Sequence, residues 1–357
     1  MMRARTEERL ARRGGAVELL RVPAALYGLA AGLRGALYDR GWLPQARLDA
    51  PVVCVGNISA GGTGKTPFVA WLARELARRG RRPGLLSRGY GGGGAPNDEA
   101  RLLAELLPGV PHVQAADRLA GGLELLRLGA DAIVMDDGFQ HRRLARDLDL
   151  VLVDATRPWG LPAADGAEPV RALLPRGLLR ESPSGIARAH ALVLTRVDQV
   201  RADRLEDLAA ELERLAPGVP RLACVHAPRA LLGRAGRVAG LESLRGASLR
   251  LLSAIGNPDA FQRSVEALGA RVLEHRRFPD HHRFTDADVA DLRAHGAAVL
   301  CTHKDLVKLG EFLPEARALS VELEFRGPTA VLEALLDALP IARSARERAA
   351  LHEGLHG

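Results

Sequence analysis

The densest concentration of chemistry in this 357-residue chain is Gly56-Asn57-Ile58-Ser59-Ala60-Gly61-Gly62-Thr63-Gly64-Lys65-Thr66. An apolar run, Pro51–Val55, precedes it, and a stretch of helical periodicity, Pro67–Arg79, follows it. Strand, glycine-rich turn and helix form the setting in which backbone amides converge on phosphate oxygens. The helix N-terminus adds partial positive charge, Lys65 a point charge, and Thr66 a hydroxyl for Mg²⁺. The phosphate-holding residues expected from this pattern are Ser59, Ala60, Gly61, Gly62, Thr63, Gly64, Lys65 and Thr66. Ser59 stands where the pattern G-x-x-x-x-G-K-[ST] begins with glycine.

A phosphate loop works with a carboxylate at the end of a second buried strand. Ala132–Met135 runs into Asp136-Asp137-Gly138, so Asp136 or Asp137 is expected to contact Mg²⁺, directly or through water. The alternative is that the two carboxylates cap a turn at Gly138. Composition adds a second signal. The chain has 50 basic and 43 acidic residues, a net charge of +7, yet only 3 of the basic residues are lysine. An arginine bias spread along the whole sequence reads as coding preference and solvated surface, not as a nucleic-acid footprint. No aromatic-rich basic stripe is present to stack bases. Each lysine therefore draws notice: Lys65 sits in the loop, and Lys304 lies in Thr302-His303-Lys304-Asp305, where it would meet substrate or pair with Asp305.

Taken together, Val55-Gly56-Asn57…Gly61-Gly62-Thr63-Gly64-Lys65-Thr66, Ser87-Arg88-Gly89-Tyr90-Gly91 and Asp136-Asp137-Gly138-Phe139-Gln140-His141-Arg142 resemble the tetraacyldisaccharide 4′-kinases of Gram-negative bacteria. Leu173-Leu174-Pro175, Phe278-Pro279-Asp280-His281 and Thr302-His303-Lys304-Asp305 extend the resemblance over roughly residues 20–330. It implies a two-domain α/β protein, peripheral on the cytoplasmic face of the inner membrane. Such an enzyme moves the ATP γ-phosphate to the 4′-hydroxyl of a lipid disaccharide. ATP and Mg²⁺ would be its cofactors, and no obligate protein partner is implied. Asn97-Asp98-Glu99-Ala100 is similar to the family's Gly-Asp-Glu-Pro stretch, which places Asp98 as the base that accepts the hydroxyl proton. Asp98 also suits the N-cap of the helix after it, and the two roles can coexist. The resemblance further implies that His281 pairs with that carboxylate, and that Glu181 stands near the metal.

The elements that must position these residues read as α/β: a mostly parallel sheet of the P-loop NTPase type with flanking helices, plus a second, smaller α/β domain. Strands are expected at Gly84–Ser87, Ala132–Met135, Leu150–Asp154 and Ala191–Thr195, with helices at Glu99–Leu107 and Arg118–Leu128. The domain division expected is 1–50, a basic and apolar membrane-interface segment; 51–217, the kinase domain; 218–248, a linker; 249–340, the second domain; and 341–357, a tail. The second domain should hold strand Leu249–Ala254, helix Pro258–Leu268 and strands Arg271–His275 and Ala297–Thr302. No run approaches the ~20 apolar residues of a bilayer span, so the N-terminal segment is expected to lie in a membrane interface or on the protein's own core. Three scattered cysteines, Cys54, Cys224 and Cys301, form no ligand pair and fit a reducing compartment. A competing reading is a P-loop GTPase or ATPase of the nucleotide-driven chaperone type, since Thr195-Arg196-Val197-Asp198 echoes [NT]-K-x-D, with arginine replacing the lysine.

Overall fold

The computed structural model describes residues 7, 9–89, 97–161, 169–294, 298–309 and 312–342. The glycine run at 91–94, Tyr90 and the tail beyond 342 lie outside the described residues.

Among the described residues twelve strands form one sheet. In chain order they are β1 (Val52–Gly56), β2 (Pro83–Ser87), β3 (His112–Gln114), β4 (Ala132–Asp136), β5 (Leu148–Asp154), β6 (Ala191–Thr195), β7 (Arg221–Gly233), β8 (Gly236–Ala239), β9 (Ser248–Ser253), β10 (Arg271–Arg277), β11 (Val299–Thr302) and β12 (Arg317–Arg326). The helices are α1 (Arg21–Asp39), α2 (Lys65–Arg78), α3 (Asp98–Leu106), α4 (Arg118–Arg127), α5 (Ala202–Leu215), α6 (Pro258–Ala267), α7 (Asp286–Ala294), α8 (His303–Leu309) and α9 (Ala330–Asp337). Across the sheet the order is β10-β9-β11-β12-β7-β6-β5-β1-β4-β2-β3, with β8 hairpinned onto β7.

β1 lies at the centre of the first half, parallel to β4 and β5. Its residues are buried on both faces, which is why it reads as an unbroken apolar run and not as an alternating one. Val53 and Val55 pack with Phe68, Leu72 and Leu76 of α2, while Val52 and Cys54 face Ile133, Met135 and Phe139 on the other side. Fully burying each such side chain contributes about 1.5–3 kcal/mol. Fixing β1 between two cores fixes the point at which the glycine loop leaves it.

Residues 218–248, expected as a linker, contain β7 and β8. β7 runs parallel to β6 and antiparallel to β12, so the seam between the halves is a continuous hydrogen-bonded ladder. The register shifts between Ser320 and Val321, opposite Pro228, which has no N–H to give the ladder. Phe68, Trp71 and Phe325 add an aromatic clasp, with centroids 4.9 Å apart for Trp71–Phe325 and 5.5 Å for Phe68–Trp71, joining α2 to β12. Beside it α3 packs on α8. These contacts bring the start of α3 from the first half and α8 from the second to one cleft.

α1 is docked along one edge. Gly28 allows the approach, since a Cβ there would stand 2.5 Å from Leu173 Cδ1. Tyr27 Oη donates to the Arg180 carbonyl at 2.7 Å, Arg34 to the Gln140 carbonyl at 3.2 Å, and Arg142 to the Gly35 carbonyl at 3.1 Å. Its other face is bare: Leu19, Val22, Leu26, Leu29 and Leu33 form an exposed stripe at three- and four-residue spacing, with exposed Trp42 beyond. The helical run Gly15–Asp39 has 25 residues and is long and apolar enough, by length and composition, to cross a membrane. That corrects the expectation that no segment reaches this length.

Candidate active site

The phosphate loop begins where β1 ends at Gly56 and closes at Gly64, whose left-handed φ of 86° turns the chain into α2 at Lys65. A Cβ on Gly64 would overlap the His226 ring, so glycine is required there twice over. Ser59, in the place of the motif's first glycine, is buried and pairs with Leu179 in an isolated antiparallel bridge. Ala60 N donates to the Leu178 carbonyl at 2.6 Å. Asn57 Nδ2 donates to the Ser59 carbonyl, and Asn57 Oδ1 accepts from Lys65 Nζ at 3.0 Å. The carbonyls of Gly62 and Thr63 accept from Arg196 and Thr195, each at 3.0 Å. The Thr195–Arg196 pair thus braces the loop, and Arg196 also pairs with Asp154.

At the end of β4 the two adjacent carboxylates have opposite characters. Burial, with the Glu99 and Asp137 charges, pushes the Asp136 carboxyl up against the pull of Lys65. Its Oδ1 is buried with no hydrogen-bond partner. Asp137, at φ 53°, turns the other way. Burial would raise it, but Lys65 at 3.3 Å and Arg180, 2.8 Å from both oxygens, hold it well below the ordinary carboxylate range. Glu181 follows Arg180, the partner of Asp137. One oxygen accepts from Gln140 Nε2 at 2.7 Å and the other from Arg188 at 2.6 Å, while Gln140 also donates to the Asn57 carbonyl. Among the described residues no group of three His, Cys, Asp or Glu side chains is placed to hold a metal. The orphaned Asp136 oxygen is the feature that fits a cation, with the Thr66 hydroxyl on the cavity wall as an oxygen donor of the kind Mg²⁺ takes.

Asp98 is the first residue of α3, and its place as helix cap is taken by Asn97, whose side chain accepts from Ala100 N at 2.8 Å. Gln114 holds the start of this helix, accepting from Asn97 N at 3.3 Å and donating to Ser87 Oγ at 3.4 Å; Ser87 in turn bonds His112 Nε2 at 2.8 Å. Released from capping, the Asp98 carboxylate accepts from His281 Nδ1 at 2.9 and 3.2 Å. Lys304 and Lys308 each bring Nζ to 3.5 Å from its Oδ2. Burial would raise Asp98, but the His281 hydrogen bond and the two lysine charges outweigh it and hold the carboxylate well below its usual range. His281 sits at φ 63° and is raised above an ordinary imidazole by that same hydrogen bond, against partial burial. Lys304 also pairs with Asp280 at 3.0 Å and Glu99 at 3.4 Å. No Lys304–Asp305 contact is among those described; the Asp305 partner is Lys308.

A cavity of about 200 Å³ opens beside these groups. Its walls run from Gly61–Thr66 past Glu99 and Lys304 to Ile255, Asn257 and Phe261 of the second half. Gly256 closes on the loop so tightly that a Cβ there would overlap the Gly62 amide. Of the residues expected from sequence, Lys65 and Asp137 meet at the loop, Asp98 and His281 meet across the cleft, and Glu181 bonds Gln140, which donates to the Asn57 carbonyl. Lys308 and Arg180 were missed as site residues. Lys308 carried a readable signal, being the third of three lysines.

A phosphate loop with its lysine, a strand-end carboxylate and a second carboxylate across a cleft define a P-loop phosphotransferase. The sequence model of the family described as tetraacyldisaccharide-1-P 4′-kinase matches residues 16–340. A tetraacyldisaccharide 4′-kinase of Anaeromyxobacter dehalogenans (strain 2CP-C) is 47% identical over 345 residues, covering 87% of this chain and 88% of its own. That of Geobacter sulfurreducens is 37% identical, covering 89% and 92%. The crystal structure of LpxK from Aquifex aeolicus in complex with ATP superposes with a TM-score of 0.69 at 30% identity, covering 90% of this chain and 99% of that one. The chain belongs to the tetraacyldisaccharide-1-P 4′-kinase family: it is an ATP-binding kinase of lipid A biosynthesis. The GTPase or chaperone reading is not favoured.

Proposed function

We propose that the cleft transfers the ATP γ-phosphate to the 4′-hydroxyl of a tetraacyldisaccharide 1-phosphate, with Asp98 as the base. The phosphate loop and Lys65 bind and orient the triphosphate; the Lys65 ammonium exchanges its contacts with Asn57 and Asp137 for phosphate oxygens. The attacking hydroxyl oxygen forms the new bond to phosphorus, the bond to the ADP oxygen breaks, and the hydroxyl proton passes to Asp98. A carboxylate of low basicity suits this role, because in a loose phosphoryl transition state the hydroxyl gives up its proton late. His281 orients Asp98 and supports its charge. Mg²⁺, held by Asp136 and Thr66, would supply charge neutralisation on the phosphate oxygens.

The observation that carries this reading is the Asp98–His281 pair, 2.9 Å apart beside the phosphate-loop cavity, with capping assigned to Asn97. Asp98→Asn tests it, assayed with labelled ATP and the lipid acceptor in mixed micelles. Turnover is expected to fall about 10²–10⁴-fold with ATP binding intact; near-normal turnover would remove Asp98 from the chemistry.

The lipid acceptor also calls for a membrane surface. The bare stripe on α1, backed by Arg34 and Arg40 and pinned to the body through Tyr27 and Arg142, suits a helix lying in the plane of an anionic interface on the side that holds ATP. Leu26→Glu with Leu29→Glu is expected to weaken flotation with anionic vesicles while leaving ATP binding unchanged. Equal flotation of both forms would contradict the assignment.

A further inference from the structure

In a chain that writes arginine at nearly every basic position, Lys65 and Lys304 line the cavity and Lys308, the third lysine, stands against Asp98. Lys65 belongs to the phosphate loop, and Lys304 and Lys308 converge on one oxygen of Asp98. Both come from α8, one turn apart, so their charges repel unless an anion lies between them. Asp98, from the other half of the sheet, is that anion. Lys308 is closely fixed. Its ammonium is 3.2 Å from Asp305 Oδ1 and lies 5.3 Å from the centroid of the Phe284 ring. Asp305 is itself anchored, its other oxygen accepting from Ala254 N at 3.1 Å and Thr302 Oγ1 at 2.6 Å. The Lys308 side chain is 12% exposed, and its Nζ makes ion pairs but no well-formed hydrogen bond. An ammonium withdrawn from water on such terms is held for its charge.

We infer that Lys308 is a positioning residue for Asp98: delivered by the second half of the sheet, it clamps Oδ2 together with Lys304 while His281 takes Oδ1. This rests on the reading of Asp98 as the base. The groups facing Asp98 are His281, Lys304 and Lys308; behind Lys304 stand Asp280 and Glu99, and behind Lys308 stands Asp305. Lysine suits the place because two compact ammonium groups can share one carboxylate oxygen, whereas a guanidinium presents a planar fork. His281 and the two lysines hold the carboxylate well below its usual range, against its burial. Removing one frees its orientation and raises its basicity.

The experiment compares the full-length protein with Lys308→Met, Lys308→Cys and Asp98→Asn in the micellar kinase assay across pH. Lys308→Met is expected to lower kcat about 10–100-fold, since small misplacements of a reacting group cost that much. KM for ATP should stay constant, and the acid limb of the kcat profile should move to higher pH. Aminoethylation of Lys308→Cys, which rebuilds an ammonium of nearly the same reach, should restore both kcat and the acid limb. The unsubstituted protein treated in parallel controls for its buried cysteines. An unchanged kcat and acid limb in Lys308→Met would overturn the inference. So would a loss of kcat without a shifted limb that aminoethylation fails to repair, because that marks a purely structural lysine. If Lys308→Met does not fold, Lys308→Cys before and after aminoethylation gives the same reading. An active Asp98→Asn would remove the base reading itself; an inactive Asp98→Asn beside a silent Lys308 variant would remove only this inference.

Discussion

The phosphate loop and the base pocket lie beside each other, joined by Glu99, Asp280 and Lys304 on the cavity wall, but are assembled from different amounts of chain. Consecutive residues from Gly56 to Thr66 build nearly all of the loop, which is set by a single strand buried between two cores. The base pocket joins α3 of the first half to the β10–α7 loop and α8 of the second, with Asp98 and His281 separated by 183 residues. The loop's electrostatics are fixed within one half, through Lys65, Asp137 and Arg180. Those of Asp98 depend on cations that the other half supplies. The comparison teaches that the charges at the loop are set within one half, whereas those at Asp98 are set by the contact between halves. Substitutions should separate the two.

The largest separation is expected from Asp98→Asn, which removes proton acceptance and leaves the loop untouched: turnover down about 10²–10⁴-fold, ATP affinity the same. Loss of ATP affinity in this variant would break the comparison. Next comes Lys65→Ala, expected to cost about 10²–10³ in rate through lost phosphate stabilisation, this time with weakened ATP binding. His281 titration should remain as in the unsubstituted protein, because Lys65 does not touch the base pocket. The smallest effect sharpens the picture through pH. The Asp98 hydrogen bond raises His281, and the His281 and lysine charges lower Asp98. A raised histidine stabilises fully below its unfolded value and loses that contribution as pH rises through its folded value. A depressed carboxylate stabilises fully above its unfolded value and loses that contribution as pH falls through its folded value. The pair should therefore stabilise most between about pH 4 and 6.5. Proton NMR of Asp98→Asn is expected to show His281 titrating lower than in the unsubstituted protein; an unmoved titration would mean that the pair does not form in solution.

What the sequence made legible follows the same division. β1, β4, β5 and β6 are apolar runs with glycine, aspartate or threonine at their ends, and their positions could be read within a residue or two. β7 and β12 could not be read so easily. β7 carries Pro228 and Arg229 in mid-strand, and reads as a loop until its partner is known. β12 alternates Leu319, Val321, Leu323 and Phe325 with Ser320, Glu322, Glu324 and Arg326, a half-buried strand pattern that the emphasis on unbroken apolar runs passed over. The site shows the same limit. Lys65 and the Asp136–Asp137 step follow from local pattern, but their opposite characters depend on Arg180 and Glu99, which no spacing brings together. Asp98 was readable as a cap or a base; the cap falls to Asn97, one residue before it. Glu181 follows Arg180 in sequence, yet its carboxylate turns to Gln140 and Arg188.

The central claim, that the base is one unit built across the two halves, is tested most directly by a double-mutant cycle on Asp98 and His281 in the micellar kinase assay. His281→Ala alone should cost less than Asp98→Ala, because the carboxylate can still accept the proton when poorly aimed. The double variant should be scarcely slower than Asp98→Ala, since groups acting as a unit are strongly non-additive. Losses that simply multiply would mean that the two side chains act independently, and would contradict the account.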